Sequence, residues 1–243
     1  LIISSVCVLM YGGKKKGHWM AIDPQKTIFL IDGSGFLYRA YYGLRPLHTP
    51  QGVPVQAVYS FCRMIKKIVD TFDPHYMALV WDSKGPTVRH TIFPEYKAKR
   101  AAPPSDLFDQ KKYIQQFADL IEVKQFEQSG VEADDILYSL AQDYAKQGYE
   151  VLMLTSDKDM EQTLSEHITI YDPFKNIFIT PTDFIEKRGF AVEKLPFYFA
   201  LLGDASDNIP GVKGIGEKMA TQLVQQFASL QDLYEHVDRI TKE

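Results

Sequence analysis

Cysteine is scarce: only Cys7 and Cys62 occur among 243 residues. Two thiols cannot build a disulfide framework, so a secreted disulfide scaffold is excluded and a reducing, cytoplasmic setting is the expectation. No apolar run approaches the roughly 20 residues of a membrane span, which excludes a transporter and predicts no membrane partner. A repeat of solenoid period and a low-complexity linker are also missing. Six histidines are present, but none adjoins the acidic clusters described below, so the spacing of a zinc site is absent. What remains is 45% hydrophobic and 24% charged, enough to bury a sizeable core as one large or two small domains. A template polymerase does not fit in this length.

The net charge of −4 speaks against a nucleic-acid partner until it is divided. Nine carboxylates form one candidate cluster: Asp32, Asp82, Glu132, Asp134, Asp135, Asp157, Asp159, Asp204 and Asp207. Of the 31 acidic residues, 22 lie outside that cluster, against 27 basic ones. A basic shell around an acidic site differs physically from a uniformly acidic protein.

Residues 1–26 pair an apolar stretch, LIISSVCVLMY, with a basic one, GGKKKGHW, in the reverse of secretory-signal order. They are expected to be an extension outside the fold, with Met20 as an alternative start. From residue 27 strand and helix patterns alternate. TIFLI ends at Asp32, YMALVW at Asp82 and EVLMLTS at Asp157, and runs apolar on both faces suit central parallel strands. Helices are predicted over 54–72 and 131–148, the second closed by Gly148. The fold class is therefore α/β, a central mostly parallel sheet with flanking helices over 27–183. A small helical module follows over 184–243, with helices at 195–202 and 217–227 around a loop at 203–216.

Ligands of open α/β sheets sit beyond the carboxyl ends of the strands. One aspartate at such an end is usually a cap or turn residue. Asp32, Asp82 and Asp157, with Asp159 close behind, are too many for that reading. Glu132-Ala133-Asp134-Asp135 opens a helix, where acids complement the dipole. Yet Glu132 and Asp135 share a face, and Asp204 and Asp207 repeat the three-residue spacing. Like charges this dense require a cation. All-oxygen donors select Mg²⁺ or Mn²⁺, and their number implies two ions, the arrangement for in-line phosphodiester hydrolysis.

Two basic elements complement the acids. Residues 83–112 carry Lys84, Arg89, Lys97, Lys99, Arg100, Lys111 and Lys112 and are expected to overhang the site as an arch. Tyr96, Lys97 and Arg100 are read as one helical turn that combines a stacking ring with phosphate-binding cations. The second element, GVKGIGEKMA, places Gly211, Lys213, Gly214, Ile215, Gly216 and Lys218 at a tight turn before a helix. This helix-hairpin-helix pattern grips the DNA backbone through amides.

These residues are recognisable together. FLIDGSGFLYRAYYGL, ALVWDSKGPTVRH, YKAKR, GVEADDILYSLA, TSDKDMEQ and GDASDNIPGVKGIGEKMA closely resemble the PIN-like 5′-nuclease (flap endonuclease-like) domain of bacterial DNA polymerase I, from about residue 27 to 243. The resemblance implies a Mg²⁺-dependent 5′→3′ exonuclease and flap endonuclease for primer removal and DNA repair. By position it implies that all nine carboxylates are metal-site acids. Arg39 would contact phosphate, and Lys97 and Arg100 would assist the scissile phosphate. A monovalent cation at the hairpin and a monomer acting on flapped, nicked or 5′-ended DNA are further expectations, as is a bacterial cytosolic location. Trp81 departs from the commoner Phe, residues 1–26 have no counterpart, and the chain stops short of the usual domain end. A polymerase domain in the same full-length chain is thus an open expectation. The alternatives are a stand-alone flap endonuclease-like protein, a non-catalytic DNA-binding module, a PIN-like ribonuclease with fewer acids, and a DxD phosphatase. The last is disfavoured by Ser34 where its second Asp would stand.

Overall fold

Alternating side-chain direction along each strand sorts the apolar residues into two cores. Ile28, Leu30, Val80, Val151 and Met153 enter one, and Phe29, Ile31, Leu79, Trp81, Leu152 and Leu154 the other. The computed structural model describes residues 9–12 and 19–240. Its first elements are β1 (Leu9–Gly12) and β2 (Trp19–Ile22), which pair antiparallel with each other and not with the main sheet. They belong to the expected extension, the remainder of which, 1–8 and 13–18, lies outside the described residues. Ile22 is buried in the second core.

The main sheet follows from β3 (Thr27–Asp32). The chain continues through α1 (Gly33–Tyr42) and α2 (Gln56–Phe72) to β4 (Tyr76–Trp81), then α3 (Val88–Ile92), α4 (Ser105–Leu120) and β5 (Lys124–Glu127). It returns by α5 (Ala133–Lys146) to β6 (Glu150–Leu154), β7 (Ile168–Asp172) and β8 (Ile177–Ile179). The strand order is β5-β4-β3-β6-β7-β8, parallel except for β8. β3 is thus the point from which the chain leaves in one direction and later returns on the other side, a topological switch point. α1, α2 and α4 cover the second core, and α5 the first.

The C-terminal helices are α6 (Pro181–Arg188), α7 (Leu195–Leu202), α8 (Glu217–Gln226) and α9 (Leu230–Glu235). Phe184 through Leu233 share one buried cluster with the sheet residues Ile28, Val80 and Met153. The helical module therefore packs as a continuation of the sheet's core. Glu161, 3% exposed, fastens α6 from beneath through Arg188 at 2.8 Å and Lys187 at 3.4 Å. Among the described residues no helix is long and apolar enough to cross a membrane.

Candidate functional site

Asp32 is both the last residue of β3 and the N-cap of α1. Its Oδ1 accepts the Gly35 amide at 2.7 Å and its Oδ2 the Thr155 hydroxyl at 3.0 Å. Thr155 in turn accepts the Asp157 amide at 3.1 Å, so one buried hydroxyl ties two strand ends together. Asp82 follows β4 directly, and its Oδ1 accepts the Ala133 amide at the start of α5 at 2.8 Å. These aspartates and Asp134, Asp159, Asp204 and Asp207 line one cleft of about 170 Å³, together with Ser34, Tyr38, Lys97, Arg100 and Lys158.

Seven carboxylates in one cleft repel. Asp134 is pushed up to about 8, by burial first and then by the charges of Asp32, Asp157 and Asp82. Burial also lifts Asp32 to about 6 against its two hydrogen bonds, and Asp159 to about 6 with Asp157 adding to the rise. Asp204 moves the other way. Burial raises it most among single effects, but the Ser206 hydroxyl and amide and the charge of Lys158 outweigh that and leave it lowered.

Glu132 and Asp135 are not part of the cleft lining. Their three-residue spacing makes a capping box at the head of α5. Arg89 grips Asp135 in a bidentate pair at 2.6 and 2.8 Å and holds it below the usual carboxylate range. Glu132 accepts from Tyr96 and Lys97, both at 3.0 Å. The arch also differs from expectation. Residues 93–100 form successive tight turns, with Lys97 in the left-handed region at φ 56°. The Tyr96 ring is 5% exposed and so unavailable for stacking; its hydroxyl meets Asp207 at 2.9 Å as well as Glu132. Arg100 pairs with Asp207, the Lys97 amide donates to the Asp207 carbonyl at 2.9 Å, and Asn208 donates to the Glu95 carbonyl at 2.8 Å. The strap 95–100 is thus fastened to the loop 204–208. Lys99, within the strap, is exposed. Lys111 does not overhang the cleft but is buried on α4.

Arg39 is exposed on α1, its guanidinium 4.9 Å from the centre of the Phe174 ring, and does not line the cleft. In the hairpin Lys213 and Lys218 are exposed and Ile215 anchors the turn against the core. Gly214 needs its φ of +87°, whereas Gly216 at φ −98° faces open space. The backbone of Gly211 lies against Leu202, where a Cβ would stand 2.1 Å from the carbonyl oxygen, so its small size serves packing. Tyr38, Thr155 and Lys158 are site residues the sequence reading passes over. Lys158 carried a signal, lying between two expected ligands, and its Nζ is 3.7 Å from Asp204.

The donor set fits hard divalent cations. Asp159 Oδ1 is buried with no hydrogen-bond partner, and the raised carboxylates are groups that a cation would relieve. Among the described residues no group of three His, Cys, Asp or Glu side chains stands close enough to hold an ion by itself; Mg²⁺, which keeps several waters, needs only one or two carboxylates.

Two family models match the chain: "5'-3' exonuclease, N-terminal resolvase-like domain" over residues 27–189 and "5'-3' exonuclease, C-terminal SAM fold" over 190–243. A thermostable DNA polymerase I of Thermus thermophilus is 43% identical over 90% of this chain, which spans only 26% of that relative's length. A 5'-3' exonuclease of Aquifex aeolicus is 33% identical over 90% of this chain and 75% of its own. Among solved structures, the T5 D15 protein co-crystallized with metal ions has a TM-score of 0.73 at 22% identity, over 89% of this chain and 81% of that one. A variant of the T5 D15 flap endonuclease, solved as a pseudo-enzyme-product complex with DNA and metal ions, gives 0.70 at 22% identity. Both share the fold described above.

Proposed function

The chain belongs to the 5′-3′ exonuclease family, a family of hydrolytic nucleases, and on that premise we propose that it cleaves DNA phosphodiesters from 5′ ends and at 5′ flaps. The observation that carries this reading is the meeting of seven carboxylates with Lys97, Arg100 and Lys158 in a single cleft. Asp32, Asp82 and Asp134 would hold one divalent ion and Asp157, Asp159, Asp204 and Asp207 a second, with Glu132 and Asp135 supporting the first from behind. Two Mg²⁺ ions, for which Mn²⁺ substitutes, would supply a water of lowered pKa and a sink for charge on the attacking and leaving oxygens. Lys97 and Arg100, which line the cleft, would stabilise charge that builds on the scissile phosphate. Amides of Gly214 and Gly216, with Lys213 and Lys218, grip the duplex through phosphate alone, and a monovalent cation at the turn completes that grip.

Arg39 would contact the phosphate backbone beyond the cleft. The T5 flap endonuclease solved with DNA and metal ions supports DNA and divalent metal as what this site binds. The DNA polymerase I relatives support a role in primer removal and repair within a longer polymerase chain. We place it as a monomer in the bacterial cytosol. The test is a 5′-flap DNA duplex incubated with Mg²⁺ and with a chelator. Short 5′-phosphorylated products that vanish with the chelator are expected. Binding of DNA with no product under either condition would make it a binding module and end the nuclease reading.

A further inference from the structure

Beneath the cleft, on the opposite side of β4, lies a polar network that the reaction described above does not use. Lys111 projects from α4 and is 9% exposed. Its Nζ donates to the Asp82 carbonyl at 3.1 Å and to Glu127 Oε2 at 2.9 Å, and stands 5.3 Å from the centre of the Trp81 ring. The indole N–H of Trp81 donates to Gln125 at 2.9 Å, and Gln125 reaches back to the Gln115 carbonyl at 3.0 Å and to Asp119. Gln115 donates to Glu127 at 3.3 Å, closing the ring of contacts. A buried ammonium is costly to desolvate, and such a group persists where every partner is in place.

Asp82 is the residue these contacts converge on. Its amide donates to Ser34 Oγ at 2.7 Å, its carbonyl accepts from Lys111, and its Oδ1 accepts the Ala133 amide at 2.8 Å. Three of its four polar groups are therefore fixed, from α1, α4 and α5 respectively, and Oδ2 has no donor among the described residues. A carboxylate whose main chain is fixed on both sides presents its free oxygen in one place. Metal ligands held in this way owe part of their affinity to the groups behind them.

We infer that Lys111 is a positioning residue of the metal site, which acts by holding the main chain of Asp82 through its carbonyl from the far side of the sheet. The inference rests on Asp82 being a metal ligand. Glu127 provides the means of separating positioning from packing, since Glu127→Gln breaks the ion pair and leaves the Lys111–Asp82 bond. Lys111→Met preserves the aliphatic stem over Trp81 and removes both bonds.

The test is Mn²⁺ binding to the metal-free chain followed by electron paramagnetic resonance, with thermal melts of each variant. Lys111→Met should weaken the tighter Mn²⁺ site about 10-fold, whereas Glu127→Gln should lower the melting temperature and leave that affinity within about 2-fold of wild type. Single-turnover cleavage at saturating Mn²⁺ should recover most of the rate in Lys111→Met. If the Met variant fails to fold, Lys111→Gln, one atom too short to reach the carbonyl, should weaken Mn²⁺ binding in the same sense. Asp82→Asn is the reference. If it loses Mn²⁺ affinity while Lys111→Met keeps it, or if Glu127→Gln loses as much as Lys111→Met, the positioning role is overturned. If Asp82→Asn itself binds Mn²⁺ as wild type, the assignment of Asp82 as a ligand fails instead.

Discussion

Asp134 and Asp135 are neighbours in sequence with opposite electrostatics, and replacing each with Asn should move stability in opposite directions. Asp134 is raised from 3.8 to about 8 in the folded protein without metal. Between those values the folded state holds a proton that the unfolded state has released, so stability is lost as pH rises. At pH 7 the interval above 3.8 corresponds to at most about 4 kcal/mol, at about 1.4 kcal/mol per pH unit. Asp32, Asp82 and Asp157 share the same repulsion and relax when any one of them is neutralised, so about half, ~2 kcal/mol, should be recovered by Asp134→Asn. For a chain of this size that raises the melting temperature by about 4–8 °C. Asp135 is held low by Arg89, so its contribution is present above 3.8 and lost as pH falls below it; Asp135→Asn should lower the melting temperature at pH 7. Scanning calorimetry in chelator at pH 7 and near pH 4 checks both. Near pH 4 the gain from Asp134→Asn should shrink towards zero, since the unfolded carboxyl is then close to its own 3.8 and protonating it in the folded state costs little. With Mg²⁺ the order should invert, because the wild type gains a ligand and the variant has lost part of its site. An Asp134→Asn protein that melts at or below wild type at pH 7 without metal would refute the picture of a repulsive cleft.

Three further outcomes are expected. Lys97→Ala and Arg100→Ala should each lower the single-turnover rate on a flap substrate about 100-fold with less than about 10-fold loss of DNA affinity; equal losses in affinity with an unchanged saturated rate would reduce the strap to a binding surface. Gly216→Val, which meets open space, should leave the melting temperature unchanged and weaken duplex binding on every sequence alike, as gel-shift titrations over a salt series would reveal; unchanged affinity would remove the hairpin from the DNA contact. Arg188→Met should destabilise by about 3 kcal/mol in denaturant unfolding because it strands buried Glu161, and wild-type stability would mean Lys187 alone suffices.

The strand-end aspartates were legible because an apolar run that stops at an acid fixes both a strand and the end of the sheet at which the acid emerges. The direction of Asp134 relative to Glu132 and Asp135 was less legible. The spacing of three that suggests a common metal face is also the spacing of a capping box, and only the position of Arg89 on α3 decides between them. Tyr96 is misread for a similar reason. An aromatic ring beside basic residues suits stacking, but here a left-handed Lys97 turns the chain so that the ring is buried and its hydroxyl reaches two carboxylates. Thr155 carries no signal of its own in one sequence, and Lys111 carries only the misleading one of its place in a basic run. Their roles arise from contacts between strands and helices that are distant along the chain.

The first core joins Ile28 of β3 to Leu233 of α9, and that union sets an order on synthesis. At about 5–20 residues per second, β3 leaves the ribosome roughly 10–40 s before α9, and the later strands follow it by intermediate times. Until those helices arrive, Leu30, Val80 and Met153 lack part of their cover, and Asp204 and Asp207 are among the last acids to be made. A nascent chain therefore cannot assemble the cleft piecemeal. On the proposed function, the capacity to cut would appear only once the apolar face can close.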